Sequence, residues 1–541
     1  MNRWKPLTCL SLVSVLVFAG CSSSTDGAKP TATNAPTTST ASPAASQAPQ
    51  REKLTLSFMT AVPTNTSSLP AGDKDFIRKA IEEKFNVEIK MDYSVMGEEF
   101  STKLNVKLST GDAPDMFHAE GAKTTKYILD GAVADLSKYV TPQTMPNYFK
   151  WVTPEELKRY EVQNKFMRAP VPFERNQYHA YYVRKDWLDK LGLKVPTNYD
   201  EMINVMKAFT FNDPDGNGKN DTYGFTTSGS GQNVSREFPE WFKHGFGAGL
   251  LIDKDNNFID TGSNQRTGKI IDDIRKTLDL KVVDPDWFLN KAGEHLNKVQ
   301  QGKVGIFYSG SRDIAFDNSG ASILKKTREV TGNPKADFVA FHIAGDTPVS
   351  YATLPGLPFL INAKTPENKI KRIMEIFDWL ASPEGFLLAN YGKEGVHYKK
   401  EGNKITLIPD AFKKDIVDNG NFTDVWGSVF SFGVKDPSAI GLQFIDPRET
   451  DHDRAILDVF KKNKYYVLGT NVAPPAGLDL GAFRKQMNLY LAKVLFEEKD
   501  ASNWPKYSQE IYTTYKGKEI FDGYAEQAST ALQKKITFKM D

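Results

Sequence analysis

The stretch KLTLSFMTAV (53–62) begins the pattern that decides the fold class. Its apolar run predicts a buried strand. DKDFIRKAIEEKF (73–85) follows it and places its apolar residues on one helical face, with Asp73 as the predicted cap. NVEIKMDYSV (86–95) then predicts a second strand.

The pattern continues with a second helix over EEFSTKLNVKLSTG (98–111) and a third strand within DAPDMFHAE (112–120). An order of β-α-β-α-β predicts an open α/β sheet. Ligands of such sheets bind beyond the carboxyl ends of the strands. We therefore expect residues 118–122 to lie near a ligand cleft.

The alternation of strands and helices recurs along the chain. YHAYYVRKDWLDKLGL (178–193) predicts a strand and a helix, and PTNYDEMINVMKAF (196–209) a helix capped by Thr197 or Asn198. Residues 478–532 are mainly helical in pattern. Two α/β lobes with a helical C-terminal addition fit this length, which exceeds what one core supports.

The N-terminus predicts export and a lipid anchor. Arg3 and Lys5 precede the short apolar run LTCLSLVSVLVFAG (7–20), as in a secretory signal, and Cys21 follows Gly20 as in a bacterial lipobox. Residues 1–20 are therefore a predicted signal peptide, and Cys21 the predicted lipidated N-terminus on the outer face of a bacterial cell membrane. Phe18, where such motifs usually carry Leu, is a departure from the pattern.

Residues 21–50 consist almost entirely of Ser, Thr, Ala and Pro. Such a segment cannot bury apolar surface and predicts a disordered tether. The only two cysteines, Cys9 and Cys21, both precede the predicted folded body. We therefore expect that body to contain neither a disulfide nor a thiol nucleophile.

The charge balance excludes a nucleic-acid binder. The chain has 69 Lys and Arg against 67 Asp and Glu, and removing the signal leaves 67 of each. The chain also lacks the motifs of several enzyme classes, because it contains no Gly-x-Ser-x-Gly, His-Glu-x-x-His or P-loop sequence. A carboxylate pair of a secreted glycoside hydrolase stays open as an alternative.

NDPDGNGKNDTYGF (212–225) follows the ligand register of a calcium loop. Gly218 falls at the sharp turn of position 6, and Gly224 at position 12, where a bidentate Glu is expected. The other predicted ligands, at positions 1, 3, 5, 7 and 9, are Asp213, Asp215, Asn217, Lys219 (through its carbonyl) and Asp221. A solvated Asx turn is the alternative. We expect Ca²⁺ to pin a helix-to-strand corner rather than to bind the solute.

Several segments, taken together and in order, resemble extracellular family 1 solute-binding proteins of ABC importers. These segments are LSTGDAPDMF (108–117), YYVRKDWLDKLGLKVPTNYDEM (181–202), residues 212–225, GKVGIFYSG (302–310) and IFDWLASPEGFLLANYGKEGVHYK (376–399). The subgroup they resemble is the large Gram-positive lipoprotein type related to alginate-binding proteins. Those binders carry an acid where this chain has Thr222.

The resemblance implies a two-lobed α/β fold of the periplasmic-binding-protein type II class, with a cleft between the lobes. We expect residues 51–176 with 345–400 to form lobe 1, and residues 177–344 with 401–541 to form lobe 2. It also implies a monomer without catalytic activity that delivers its solute to ABC permease subunits. An oligosaccharide is the expected solute, with a peptide or another small solute as the alternative.

Aromatic residues in polar, glycine-rich loops are the candidate ligand contacts, because aromatic rings cover the apolar faces of sugars. The candidates are Trp241, Trp426, Tyr308, Tyr391, Glu394, Arg175 and Asn176. Tyr391 and Glu394 gain support because related binders place their Tyr-Gly-x-Glu-Gly segment at the cleft. By contrast, Trp187 and Trp379 lie on apolar helix faces and are predicted core. A sugar-binding sensor or adhesin could share this fold and is the second alternative.

Overall fold

The structure is a computed structural model. It describes residues 51–62, 67–119, 124, 127–158, 161, 165–172, 176–291, 293–352, 359–420, 424–430 and 436–541. The predicted signal, Cys21, the tether and Arg175 lie outside these residues. Residues 51–541 form one compact unit.

Sixteen strands are found in the described part of the chain. They are β1 (Leu54–Val62), β2 (Val87–Val95), β3 (Met116–His118), β4 (Ala180–Arg184), β5 (Tyr223–Phe225), β6 (Leu250–Ile252), β7 (Asn257–Asp260), β8 (Val304–Ser309), β9 (Phe338–Phe341), β10 (Ser350–Tyr351), β11 (Phe359–Ile361), β12 (Tyr398–Glu401), β13 (Lys404–Leu407), β14 (Gln443–Ile445), β15 (Tyr465–Tyr466) and β16 (Thr537–Phe538).

The α-helices of the same residues alternate with these strands. They are α1 (Phe76–Phe85), α2 (Glu98–Thr110), α3 (Pro154–Lys158), α4 (Lys185–Leu191), α5 (Tyr199–Phe211), α6 (Pro239–Lys243), α7 (Thr267–Asp279), α8 (Glu294–Gln300), α9 (Ile323–Thr331), α10 (Glu367–Leu380), α11 (Pro383–Tyr391), α12 (Pro409–Phe412), α13 (Asp424–Val429), α14 (Asp451–Phe460), α15 (Leu480–Phe496), α16 (Trp504–Thr514) and α17 (Gly517–Leu532).

The first sheet has the order β11-β3-β1-β2. β1 runs parallel to β2 and β3, whereas β11 is antiparallel to β3. Leu56 and Phe58 pack into the core on one face of β1, and Met59 and Ala61 into a separate cluster. The second half of β1, residues 58–62, is buried on both faces, which explains why four of its five residues are apolar.

The second sheet has the order β5-β8-β4-β9. β5 is parallel to β8, and β4 is antiparallel to both β8 and β9. Tyr181 and Val183 face one core cluster, whereas Ala180 and Tyr182 face another. The C-terminal helices α15, α16 and α17 pack on the first of these clusters, and β16 pairs with β7. These three helices are the helical C-terminal addition that the sequence predicts.

The packing of two segments differs from the predicted lobes. Residues 405–442 contribute Ile405, Leu407 and Trp426 to the core of the first sheet, although 401–541 was expected with the second. Conversely, Val349 packs in the core of the second sheet, and β10 pairs with β15. Pairings between distant strands set these contacts, and local sequence patterns do not contain that information.

No helix among the described residues is both long and apolar enough to span a bilayer. Trp187 and Trp379 are buried, at 2% and 9% exposed, as predicted for core residues. The cap of α5 is Asn198, whose side chain accepts from the Glu201 N–H. The predicted cap of α1, Asp73, is wrong by two residues, because Asp75 accepts from the Arg78 N–H.

Candidate functional site

The strand directions bring one end of each of the four strands to the same edge of the second sheet: the start of β4 and the ends of β5, β8 and β9. β8 ends at Ser309 opposite the start of β4 at Ala180, and β9 ends at Phe341 beside Tyr181. β5 runs parallel to β8 and leads into Thr226, whose N–H donates to the Ile306 carbonyl. In open α/β sheets such an edge is where ligands bind.

Aromatic side chains form a layer at this edge, which we call the Tyr308 shelf: His179, Tyr308 and His342, with Glu237 and Thr227 beside them. The His179 ring stacks on the Tyr308 ring at a centroid distance of 6.1 Å and an interplanar angle of 16°. The His342 ring lies 6.4 Å from Tyr308. Tyr181 and Phe242 support Tyr308 from beneath at 5.0 and 5.8 Å.

The rings of the shelf itself are half-buried, whereas the supporting Tyr181 and Phe242 rings are buried. Burial lowers the pKa of His179 and lowers that of His342 to about 3. Burial also raises the pKa of Tyr308. All three rings are therefore uncharged at neutral pH, and they offer apolar surface with neutral polar atoms.

Glu237 is the carboxyl group of the shelf. Thr227 Oγ1 donates to its Oε2 at 2.6 Å and lies 2.5 Å from Ser235 Oγ. Tyr181 Oη donates to the Glu237 backbone carbonyl at 2.7 Å, which fixes the segment to the sheet. Burial raises the pKa of Glu237 to about 7, against the opposing effect of the Thr227 hydrogen bond.

Trp241 and Trp426 were predicted as exposed aromatic surfaces, and that prediction is wrong in this structure, since each is only 1% exposed. Trp241 Nε1 donates to the Ser235 carbonyl at 2.9 Å. Trp426 Nε1 donates to Asp75 Oδ2 at 3.1 Å. With the indole N–H satisfied internally, both side chains can bury completely and pack as core.

The remaining predicted contacts are spread over the two sheets. Tyr391 is buried at the end of α11, with its ring stacked 4.4 Å from Phe444 in the first core. Glu394 is exposed in the turn before β12. Asn176 is exposed shortly before β4, and Arg175 lies outside the described residues. Among the predicted aromatics, only Tyr308 presents a half-exposed ring at a strand edge.

His118 is the last residue of β3 and lies at the corresponding edge of the first sheet. It is 2% exposed, with its ring 5.7 and 5.6 Å from Phe100 and Phe359. The Ala61 N–H donates to its Nδ1 at 3.3 Å, and Nε2 has no partner among the described residues. Burial lowers the pKa of His118 to about 4.

Sequence reasoning missed His179, Glu237 and His342. A usable signal existed for the two histidines, because His179 directly precedes strand β4 and His342 directly follows strand β9. Glu237 carries no comparable signal, since its place depends on a tertiary contact with Tyr181.

The predicted calcium loop connects α5 to β5, as expected. Asp213 accepts from the backbone N–H groups of Gly216, Asn217 and Gly218 at 2.9–3.0 Å. Asn217 Nδ2 lies between Asp215 Oδ2 and Asp221 Oδ1, at 2.8 and 3.0 Å. Half a turn of this amide would place its oxygen there instead. The donor set therefore suits a hard cation such as Ca²⁺.

Gly224, at position 12 of the loop, is where a carboxylate ligand was missing. A Cβ built at this glycine would lie 2.6 Å from the Met206 carbonyl oxygen. The Gly224 N–H also donates to Thr210 Oγ1 at 3.0 Å. The close packing of β5 against α5 therefore excludes any side chain here. Lys303 instead contacts Asp221 Oδ2 at 2.6 Å.

A second cluster of possible metal ligands consists of Asp317, His452 and Asp453. Their hydrogen-bonding capacity is already used. Asp317 Oδ1 pairs with Arg328 at 3.0 Å, and His452 Nε2 lies 2.8 Å from the Phe338 carbonyl. Asp453 caps α14. The cluster is thus an ion-pair network that fastens α14 to β9.

A family model described as bacterial extracellular solute-binding protein matches residues 65–385. The fructooligosaccharide ABC transporter substrate-binding protein FusA of Streptococcus pneumoniae is 27% identical over 286 residues, covering 49% of this chain and 51% of FusA. The polygalacturonan/rhamnogalacturonan-binding protein YtcQ of Bacillus subtilis is 26% identical over 280 residues, covering 47% and 51%. The chain thus spans about half the length of these curated relatives.

Solved structures share the fold over most of the chain. An HMO-binding, ABC-transporter-associated solute-binding protein of Bifidobacterium longum infantis aligns with a TM-score of 0.66 at 17% identity, covering 89% of this chain and all of that one. The alginate-binding protein AlgQ2, solved without calcium, aligns with a TM-score of 0.63 at 18% identity, covering 89% and 98%. These likenesses confirm a two-lobed α/β fold. The family match covers more than half of the chain, and this protein therefore belongs to the bacterial extracellular solute-binding proteins.

Proposed function

We propose that the protein is the substrate-binding component of an ABC importer, which captures an oligosaccharide in a cleft between its lobes and delivers it to permease subunits. The observation that carries this proposal is the Tyr308 shelf. A half-buried ring beside a carboxyl group, at the ligand edge of a sheet, suits the apolar face and hydroxyl groups of a sugar. The carbohydrate names of FusA and YtcQ support the class of solute.

The packing supports a revised division into lobes. Lobe 1 would contain residues 51–172 with 359–444, and lobe 2 would contain residues 177–349 with 450–541. The cores of the two sheets separate along these limits. The chain would then cross between lobes three times, and closure on solute would be a hinge motion about these crossings. No step of this cycle requires catalysis by the protein.

A ligand panel tests the proposed function. Thermal unfolding of the mature chain is followed with plant and algal oligosaccharides and with peptides. A glycan present at a hundredfold excess over its Kd stabilises by about 2.7 kcal/mol and raises Tm. A shift with peptides and none with any glycan would contradict the proposal.

We also propose that the loop of residues 213–221 holds Ca²⁺ through the side chains of Asp213, Asp215, Asn217 and Asp221 and the carbonyl of Lys219. The ion would fix the corner between α5 and β5 and would not touch the solute. A chelator should then lower the Tm of the wild type but not that of Asp215→Asn, while the solute Kd of both proteins, measured below the melt, is unchanged. Loss of solute binding in folded Asp215→Asn would contradict this structural role.

Finally, we propose that residues 1–20 are removed and that Cys21 carries the lipid, with residues 21–50 as a tether to the outer face of the membrane. LipO of Bacillus subtilis, named a lipoprotein, is 25% identical over 360 residues. Labelled palmitate should enter the wild type in cells and should not enter Cys21→Ser. Equal labelling of both proteins would contradict the anchor at this residue.

A further inference from the structure

Glu237 is held in place while one of its carboxyl oxygens stays available. Thr227 Oγ1 fixes Oε2 at 2.6 Å, and Ser235 Oγ accepts from the Glu237 N–H at 3.3 Å. Tyr181 Oη fixes the backbone carbonyl. Oε1 receives no hydrogen bond from the described residues. A group fixed on three sides with one oxygen open is positioned to contact a ligand.

No cation of the described residues pairs with this carboxyl group. The neighbouring Arg236 is directed elsewhere, because its Nη2 donates to Thr261 Oγ1 at 2.6 Å and its guanidinium lies 4.0 Å from the Trp241 ring centroid. Arg312, which follows β8, pairs with Glu449 at 2.5 Å. The described part of the shelf therefore lacks the positive group that a uronate or another anion would require.

Titratable groups lie beside Glu237 and around the Tyr308 ring that neighbours it. Tyr181 belongs to β4, Tyr308 to β8, and His179 and His342 flank the ends of β4 and β9. Glu240, in the same segment, is buried and hydrogen-bonded to Tyr199 and Thr277. Burial lowers the pKa of both histidines and raises that of both tyrosines and of Glu240, so these neighbours favour their uncharged forms.

We propose that Glu237 determines the solute specificity of the Tyr308 shelf, selecting an electrically neutral sugar and rejecting an acidic one. This inference rests on the carbohydrate-binding function proposed above. A neutral sugar hydroxyl can pair with the open Oε1, whereas a uronate would place a second carboxylate beside Glu237, where no cation of the described residues pairs with it.

The protonation state of the Glu237 carboxyl group should make sugar binding depend on pH. In the protonated form Glu237 can donate a hydrogen bond to the sugar, and burial keeps its pKa at about 7. If the bound state needs that proton, Kd for a neutral sugar rises about tenfold from pH 6 to pH 8. Replacement of Glu237 by Gln keeps the donor and removes the titration, so the variant should bind equally well at both pH values.

The test is titration calorimetry of the mature chain with kestose, mannotriose and trigalacturonate at pH 6 and pH 8. We expect a neutral sugar to bind, trigalacturonate to bind about a hundredfold more weakly or not at all at pH 8, where Glu237 is charged, and the pH dependence to vanish in Glu237→Gln. Glu329→Gln is the matched control, because Glu329 is exposed on α9 and should leave all values unchanged. Circular dichroism confirms that each variant is folded.

Each result decides a specific claim. Tighter binding of trigalacturonate than of either neutral sugar would overturn the assignment of specificity while supporting the proposed carbohydrate function. A pH dependence that persists in Glu237→Gln would overturn the role of this residue. An absence of heat with all three sugars, together with a negative glycan panel, would overturn the carbohydrate function and this inference with it.

Discussion

At the scale of single residues, the indole nitrogen decides where Trp241 and Trp426 pack. Both occur in glycine-rich polar loops, a context typical of exposed rings. Their hydrogen-bond acceptors, the Ser235 carbonyl and Asp75, permit complete burial. Asp75 lies 351 positions from Trp426 along the chain, so no local pattern could reveal the pair.

Replacing either tryptophan by Phe should therefore affect stability and not solute binding. Trp426→Phe removes the donor to Asp75 and leaves a small cavity, so we expect the free energy of unfolding to fall by about 1–3 kcal/mol. Trp241→Phe should cost a similar amount, since it loses the bond to Ser235 and the contact with Arg236. Urea denaturation measures the loss. A solute Kd raised tenfold or more in a folded variant would restore a ligand role.

His452 should make stability depend on pH. Burial opposes its charge, but the Asp337 carboxylate and the Phe338 carbonyl raise its pKa to about 9, above the usual 6.5. A raised pKa contributes stability that is fully present below about pH 6.5 and is lost as pH rises through about 9. The difference of 2.5 units corresponds to about 3 kcal/mol at most.

Denaturation of the wild type and of His452→Gln at pH 6 and pH 9.5 isolates this contribution. The wild type should lose more stability than the variant over this interval, because Gln cannot carry the charge. The same slope in both proteins would show that the ion-pair network around α14 does not depend on protonated His452.

At the scale of elements, the sequence predicted the types of the strands and helices better than their ends. The apolar periodicity gave β1, α1, β2 and α5 correctly, whereas the cap of α1 was wrong by two residues. Several acids near a helix start compete for the cap, and the chain geometry before the helix selects among them. The sequence also could not explain the glycine at position 12 of the calcium loop, because the reason for Gly224 is the close packing of β5 on α5.

A pair of glycine variants tests that explanation. Gly224→Ala forces a methyl group against the backbone of Met206, so we expect a loss of about 3 kcal/mol or more. Gly218→Ala meets open space and suffers only from its φ of +75°, so about 1 kcal/mol is expected. Thermal unfolding in chelator compares them without metal. An equal loss for both variants would contradict the packing account.

At the scale of the whole molecule, the sequence predicted the two-lobed fold, and the packing supports the revised division of its lobes proposed above. Alternation of strands and helices, with the ordered family segments, was sufficient for the class. The packing of 401–444 differs from the expected lobe because β13 pairs with β12 and β14 in a separate small sheet, whose Ile405 and Leu407 pack in the core of the first sheet. A local pattern cannot indicate that contact. For the same reason, Tyr308 was one of several aromatic candidates until the pairing of β4 with β8 and β9 surrounded it with His179 and His342.

The central claim is that the Tyr308 ring contacts the captured solute. Calorimetry with the oligosaccharide identified by the panel should show that Tyr308→Ala loses about 2 kcal/mol of binding free energy, about 30-fold in Kd, because an aromatic contact surface is removed. Tyr308→Phe, which keeps the ring, and Trp241→Phe, which alters only the core, should bind within about threefold of the wild type. Unchanged affinity in folded Tyr308→Ala, with affinity lost in Trp241→Phe, would contradict the account.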